Sequence, residues 1–248
     1  MRIDKLAVTL LLFGLLQACV AVDGQQTQNE KASAVNVQLG IGYLRQNNLE
    51  LANEKLEKAI RQDPDSAAAH NAYAILQDRL QQFDKAEYHY KRATELDPKD
   101  SQAANNYGAF LCRNGRELEA EEYFLQATKN PLYQTPEFAY TNAAICLLKI
   151  GRVEPAREYL RKALASKSDF ATALLAMADI LFEEGDYDSA RLYIDRYHLV
   201  AKASAKSLWL AIRTALELDD GADVSEWAGR LRKEFPESEE YKALQRIQ

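Results

Sequence analysis

The sequence predicts an all-α fold made of stacked pairs of antiparallel helices. Alanine recurs about every 34 residues, at Ala52, Ala86, Ala120, Ala156 and Ala190. Glycine and proline are scarce, with 10 and 6 among 248 residues, which favours helix over sheet. Turn-forming residues recur at the same period, for example Gly115, Gly151 and Gly185, where a left-handed residue can end a helix. Self-similarity at such a period is typical of a solenoid.

The N-terminus has the pattern of an export signal. Arg2 and Lys5 precede an apolar run from Leu6 to Leu16, which is too short to span a bilayer core of ~30 Å. The run ends in Leu16-Gln17-Ala18-Cys19, which resembles the lipobox of bacterial lipoproteins. The resemblance implies that residues 1–18 are a lipoprotein signal peptide and that Cys19 is acylated. The alternative is an ordinary secretory signal followed by a chance cysteine.

The lipobox resemblance also implies a location. Val20 follows Cys19, whereas an aspartate there would resemble an inner-membrane retention signal. The implied destination is the outer membrane of a Gram-negative bacterium, facing the periplasm, reached through the lipoprotein sorting machinery. Two or more acyl chains hold a protein stably on a membrane. Residues 19–32 are predicted to form the lipidated cysteine and a polar tether, because they lack a helical apolar period.

Further positions repeat in phase with the first alanine series. A second alanine follows seven residues later in the first four units, and a large apolar residue lies between the two: Leu56, Tyr90, Phe124, Leu160 and Ile194. The pattern resembles the tetratricopeptide repeat, whose period is 34 residues. The resemblance implies a right-handed superhelical solenoid of about twelve antiparallel helices in residues 33–238. Its six frames are 33–66, 67–100, 101–134, 137–170, 171–204 and 205–238.

Two parts of this array depart from the regular unit. Thr135-Pro136 is a two-residue insertion between the third and fourth frames, and Ile212 and Val224 replace small residues in the sixth. Residues 239–248 are predicted to form a C-terminal capping helix. No unit can bury its apolar face alone, so the array is expected to be stable only as a stack.

Composition argues against nucleic-acid binding and against catalysis. The formal net charge is -6, with acids and bases interleaved, so no basic stripe is present. The sequence has no glycine-rich phosphate loop and no nucleophile elbow. His70, His89 and His198 are far apart in sequence and lack metal-ligand spacing. We therefore expect no enzymatic activity, no cofactor and no metal.

The tetratricopeptide resemblance also implies a binding groove on the first helices of the repeats. The predicted groove consists of Val37, Ile41, Leu44, Asn71, Ile75 and Asn105. Its four apolar members form a strip that the repeats are not expected to bury, and such patches usually mark partner sites. The two asparagines could hold an extended peptide backbone. Alternatively, the tether caps the strip. Phe138, Leu148 and Trp209 suggest a second contact surface.

Two cysteines remain besides Cys19. Cys112 and Cys146 lie in the first helices of adjacent units, which pack side by side in tetratricopeptide folds, and the periplasm is oxidising. A disulfide between them is one interpretation. The other is a pair of small buried apolar residues.

The whole arrangement resembles one family. A lipobox, a short tether, six repeats and paired cysteines, with the motifs QLGIGYL, NNYGAFLC and NAAICLL, resemble the type IV pilus pilotin lipoproteins of the PilF/PilW family. The resemblance implies a periplasmic adaptor that binds pilus secretin subunits and promotes their outer-membrane localisation and multimerisation, for pilus biogenesis and twitching motility. One alternative is a repeat lipoprotein that scaffolds outer-membrane barrel assembly or a peptidoglycan hydrolase. Another is an enzyme with its active site in the groove.

Overall fold

The computed structural model describes residues 26–247, and the fold within this stretch is entirely helical. Thirteen helices follow one another without a strand in the described part. They are α1 (26–45), α2 (Leu49–Gln62), α3 (Ala67–Arg79), α4 (Phe83–Leu96), α5 (Ser101–Arg113), α6 (Glu117–Thr128), α7 (Pro136–Lys149), α8 (Val153–Ser166), α9 (Ala171–Glu183), α10 (Tyr187–Val200), α11 (Ala205–Glu217), α12 (Gly221–Glu234) and α13 (Glu239–Ile247). The predicted all-α tetratricopeptide fold is confirmed.

The turn inside each pair of helices has one repeated conformation. The residue two places after the first helix has a positive φ in every pair, namely Asn47, Gln81, Gly115, Gly151, Gly185 and Asp219. Glycine adopts this left-handed conformation without steric cost, and asparagine tolerates it better than most residues. At Asn47, Gly115, Gly151 and Gly185 the residue type therefore favours the turn.

Side-chain caps fix where several second helices begin. Asn48 accepts a hydrogen bond from the Leu51 backbone at the start of α2. Asp220 accepts one from the Asp223 backbone at the start of α12. Such caps satisfy amide groups that have no partner inside the helix.

The described residues divide into two compact units, residues 26–110 and residues 111–247. In the first unit, α1, α2 and α3 enclose a core cluster built around the fully buried Leu56 and Leu76. In the second unit, the C-terminal end is closed by α13, whose Leu244 packs with Leu208 and Leu231 of α11 and α12. α13 thus covers an apolar surface that the last pair of helices would otherwise expose.

The predicted tether is wrong for residues 26–32, which form the start of α1. This end of the helix is attached to the fold by hydrogen bonds of polar side chains and not by an apolar stripe. The buried Ser33 hydroxyl donates to the Ala59 carbonyl at 2.9 Å. The Asn36 amide donates to the Ala32 carbonyl at 3.0 Å and to the Gln62 side chain at 2.8 Å. Residues 19–25, like the predicted signal peptide and Cys19, lie outside the described residues.

Candidate partner-binding site

Several predicted groove residues are core residues. Val37 and Leu44 are 3% and 4% exposed and belong to the cluster around Leu56. Asn105 is 6% exposed. The prediction that these three side chains face a partner is wrong, because neighbouring helices cover this side of α1 and α5 more completely than the repeat pattern alone indicates.

The other predicted groove residues are only partly available. Ile41 and Ile75 are partly buried and pack against the same core cluster. The Asn71 side chain accepts a hydrogen bond from the Asn106 amide at 3.1 Å, so it links α3 to α5. Its carbonyl group therefore already has a partner within the fold. The six predicted residues do not form the open apolar strip that we expected.

A different face of α1 is uncovered, formed by Val35, Leu39 and Gly42. Val35 is 60% exposed and Leu39 is 44% exposed. A Cβ added to Gly42 would meet nothing within 4 Å. The three residues lie four and three positions apart and therefore share one side of the helix. We call this surface the leading face of the array.

The later repeats show what normally covers this face. In frames two to six the residues equivalent to Val35, Leu39 and Gly42 are buried, apart from the partly buried Tyr73. They pack against the second helix of the preceding repeat, as α3 packs on α2 and α7 packs on α6. In the third repeat, Tyr107 and Phe110 contact Tyr90 of α4 at ring distances of 5.9 and 5.3 Å. The leading face thus corresponds to the surface on which, in the other repeats, the second helix of the preceding repeat packs.

The sequence contains a signal for the leading face that the repeat period by itself does not reveal. The third residue of frames two to five is alanine, at Ala69, Ala103, Ala139 and Ala173, whereas the first frame has the larger Val35. A bulky side chain where these internal repeats have a small one indicates a position without the usual neighbour. A residue-by-residue comparison of the frames identifies this position.

Basic residues border the leading face. Lys31 lies one turn before Val35 and is exposed, and Arg45 is exposed near the far end of the helix. Neither side chain forms an ion pair within residues 26–247. The face therefore combines an apolar centre with positive charge at both ends. This chemistry favours a partner segment that is apolar with acidic flanks.

A concave surface lies in the second unit. A groove of about 500 Å³ is formed mainly by α7 and α9, and Ile145, Leu148 and Leu175 line it. Lys206 at its margin pairs with Asp179 at 2.5 Å. Of the residues predicted for a second contact surface, Leu148 lines this groove. Phe138 is 45% exposed, and its ring contacts that of Phe170. Trp209 packs against the core cluster that α13 covers.

Cys112 and Cys146 are joined by a disulfide with Cα atoms 5.8 Å apart. The bond connects α5 to α7 within the second unit. Lys149 strengthens the same junction, because its ammonium group donates to the Cys112 carbonyl at 3.1 Å. Both cysteines are buried. The disulfide thus spans the two helices that flank α6 and the irregular segment before Pro136.

Two histidines that are distant in sequence are in direct contact in the first unit. The Nδ1 atoms of His70 and His89 lie 2.8 Å apart, and Nε2 of His70 lies 3.0 Å from the Pro64 carbonyl. The carbonyl can only accept, so His70 donates to it through Nε2, and in the contact between the two Nδ1 atoms one ring donates and the other accepts. Burial, followed by the proximity of His70 and Lys85, lowers the pKa of His89 to about 4. The pair therefore joins α3 to α4 through a direct contact between the two imidazole rings.

The described residues carry neither a metal-type cluster nor a membrane-crossing helix. Within residues 26–247, no group of three histidine, cysteine or acidic side chains is arranged to hold a metal ion. Within the same range, no helix is both long and apolar enough to cross a bilayer.

Comparison with known proteins connects this fold to one family. A family model described as tetratricopeptide repeat matches residues 37–101 and 141–206, and a second model of that description matches residues 89–122. The chain is 31% identical to the type IV pilus assembly protein PilF of Pseudomonas aeruginosa, over 99% of both chains.

Solved structures give the same relationship. The structure of Pseudomonas aeruginosa PilF is similar with a TM-score of 0.83 and 32% identity, covering 89% of this chain and all of the other. The structure of PilW, described as a widely conserved type IV pilus biogenesis factor, has a TM-score of 0.78 and 31% identity, covering 86% of this chain and 97% of the other. The chain therefore belongs to the PilF family of tetratricopeptide-repeat proteins of type IV pilus biogenesis.

Proposed function

We propose that this protein is a lipid-anchored periplasmic adaptor that binds subunits of the pilus secretin and promotes their outer-membrane localisation and multimerisation. The observation that carries the proposal is the relationship to PilF along 99% of the chain. A tetratricopeptide fold is a scaffold for protein interaction, so the proposed activity is binding and includes no catalytic step.

The leading face of α1 is the proposed docking surface. A helix from the secretin subunit would pack on Val35, Leu39 and Gly42, in the place that a preceding repeat's second helix takes elsewhere in the array. Acidic residues at the two ends of that helix would pair with Lys31 and Arg45. Opposite charges at the rim set orientation and speed association, whereas the buried apolar centre supplies most of the affinity.

The anchor is proposed from the sequence alone. Acylation of Cys19 in the lipobox Leu16-Gln17-Ala18-Cys19 would attach the protein to a membrane. The lipoprotein sorting machinery would then carry it to the outer membrane, since Val20 and not an aspartate follows the cysteine. In the Cys19→Ala variant the folded part should be unchanged but should no longer fractionate with outer membranes. Normal outer-membrane fractionation of this variant would contradict the proposed anchor.

An affinity pull-down from detergent-solubilised envelopes tests partner and surface together. We expect secretin subunits to co-purify with the wild-type protein and to be lost from Leu39→Glu. The matched control is Leu118→Glu, since Leu118 is an exposed helix residue outside the leading face, at 59% against 44% for Leu39. This control should retain the secretin.

Each other outcome has a definite meaning. A barrel assembly protein or a peptidoglycan hydrolase in place of the secretin would support the alternative scaffold function and exclude the proposed one. Equal recovery of secretin with Leu39→Glu would support secretin as the partner but exclude the leading face as its docking surface. Deleting residues 20–25 tests whether the tether caps this face. If it does, the deletion should increase secretin recovery.

A further inference from the structure

The second unit exposes large apolar side chains along one edge. Leu199 at the end of α10 is 84% exposed, and Leu132 in the loop before α7 is 77% exposed. These are the highest exposed fractions among the large apolar residues of the described part. Val200 and Phe138 are 46% and 45% exposed. Isolated exposed leucines are ordinary, but a set on one edge indicates an interaction surface.

The loops that contain or adjoin these residues lie on one edge of the second unit. The helices of each repeat are antiparallel, so every loop that connects one repeat of this unit to the next lies at the same end of the helices. The ring of Phe138 contacts Phe170 of the following loop at 4.8 Å. Arg196 of α10 donates to the Ser168 carbonyl in that loop at 2.7 Å. We call the surface formed by the loops between α6 and α7, α8 and α9, and α10 and α11 the loop edge.

The loop edge is also positively charged. Lys129, Lys167 and Lys202 lie one in each of its three loops and are exposed. None of the three forms an ion pair in the described part of the chain. One exposed acid, Asp169, lies among them. The loop edge therefore combines lysines that lack a counter-charge with protruding leucines.

The first unit provides an internal contrast. Its two equivalent loops contain Asp63 and Asp65, and Asp97 and Asp100, with Lys99 as the one base. Neither loop carries a large apolar residue at its tip. The same structural position thus has acidic loops in one unit and basic, apolar loops in the other, so the loop edge is not a general consequence of the repeat.

We propose that the loop edge is a membrane-contact surface that rests on a bilayer containing anionic phospholipid headgroups. Leu132 and Leu199 would enter the interface, where apolar side chains leave water, and the lysines would lie at the level of the phosphates. Charge complementarity favours this occupant, because lysines without an acidic partner in the fold gain most from an anionic surface. The contact is separate from acylation of Cys19 and would orient the second unit against the membrane.

Sedimentation with lipid vesicles tests the proposal without the anchor. The chain from residue 20 onward, which keeps every described residue, would be mixed with vesicles that contain phosphatidylglycerol and with neutral phosphatidylcholine vesicles. We expect binding to the anionic vesicles that weakens as salt increases. Leu132→Ser with Leu199→Ser should weaken this binding roughly tenfold or more. Each Lys→Gln change at the loop edge should weaken it about fivefold.

The control is the pair Leu118→Ser and Leu192→Ser, which changes leucines that are 59% and 64% exposed but lie away from the loop edge. It should bind like the unchanged chain, and circular dichroism should show all variants folded. Failure of the unchanged chain to sediment with anionic vesicles would overturn the proposal and favour a protein partner for this edge. Equal weakening by the control pair would also overturn it. Neither result depends on secretin binding, so this experiment tests the membrane contact independently of the proposed function.

Discussion

A Cβ atom added to Gly40 of α1 would lie 2.5 Å from Cγ of Leu56 in α2. Leu56 is fully buried in the core cluster of the first unit. The close approach of α1 to α2 therefore depends on the absence of a side chain at residue 40. Two positions along the same helix, an added Cβ on Gly42 would meet nothing within 4 Å.

This difference predicts opposite effects for two Gly→Ala substitutions on one helix. Gly40→Ala should lower stability, because overpacking costs about 1–3 kcal/mol and outweighs a helix-propensity gain of up to ~1 kcal/mol. Gly42→Ala should raise stability by about 0.5–1 kcal/mol, since it gains propensity without a clash. Urea unfolding followed by circular dichroism measures both. An increase in stability for Gly40→Ala would show that α1 and α2 can separate at low cost.

The disulfide between Cys112 and Cys146 should contribute substantially to stability. It closes a loop of 34 residues in sequence separation, for which the expected contribution is about 2–4 kcal/mol. Reduction should therefore lower the thermal midpoint of the protein by roughly 5–10 °C. The variant with both Cys112→Ala and Cys146→Ala should melt at the lower temperature and not respond to reductant. If the disulfide is shown to be reduced and the thermal midpoint does not change, the expected contribution to stability is contradicted.

The repeat architecture could be predicted from the sequence because packing leaves a direct record in residue size. Ala52 and Ala59, with Leu56 between them, are all fully buried. The small residues permit helices to approach, and the large one fills the space beside them. Turn residues such as Gly115 and Gly151 indicate the phase independently through their positive φ. Two physical requirements thus predicted the same frames.

The exposed surface could not be predicted in the same way. The repeat position of a residue predicts which side of its helix it lies on. The exposure of Val37 and Leu44 also depends on how far α2 and α3 cover that side of α1. The extension of α1 through residues 26–32 rests on side-chain hydrogen bonds of Ser33 and Asn36, which leave no apolar period. Burial by neighbours and polar anchoring are properties of the folded arrangement, so the periodicity contained neither.

The corrected orientation of α1 predicts a contrast between two valines. Val37 is 3% exposed in the core, whereas Val35 is 60% exposed on the leading face. Val37→Asp should destabilise the protein by about 3 kcal/mol or more, because it places an unpaired charge in an apolar core. Val35→Asp should change stability by no more than about 0.5–1 kcal/mol. Denaturant midpoints of the two variants measure the contrast, and equal losses would show that the leading face is covered.

The burial of His89 beside His70 should make the fold less stable in mild acid. Burial lowers the pKa of His89 from 6.5 to about 4, so the unfolded chain binds a proton at a higher pH than the folded chain does. The stabilisation is complete above about pH 6.5 and decreases as the pH falls towards 4. Because His89 is only partly buried, we expect a loss of about 1–2 kcal/mol between pH 7 and pH 4.5. Urea unfolding at several pH values measures it. The decrease should be smaller in His89→Gln, and an equal decrease there would assign the acid sensitivity to other groups, such as His198, whose pKa burial also lowers.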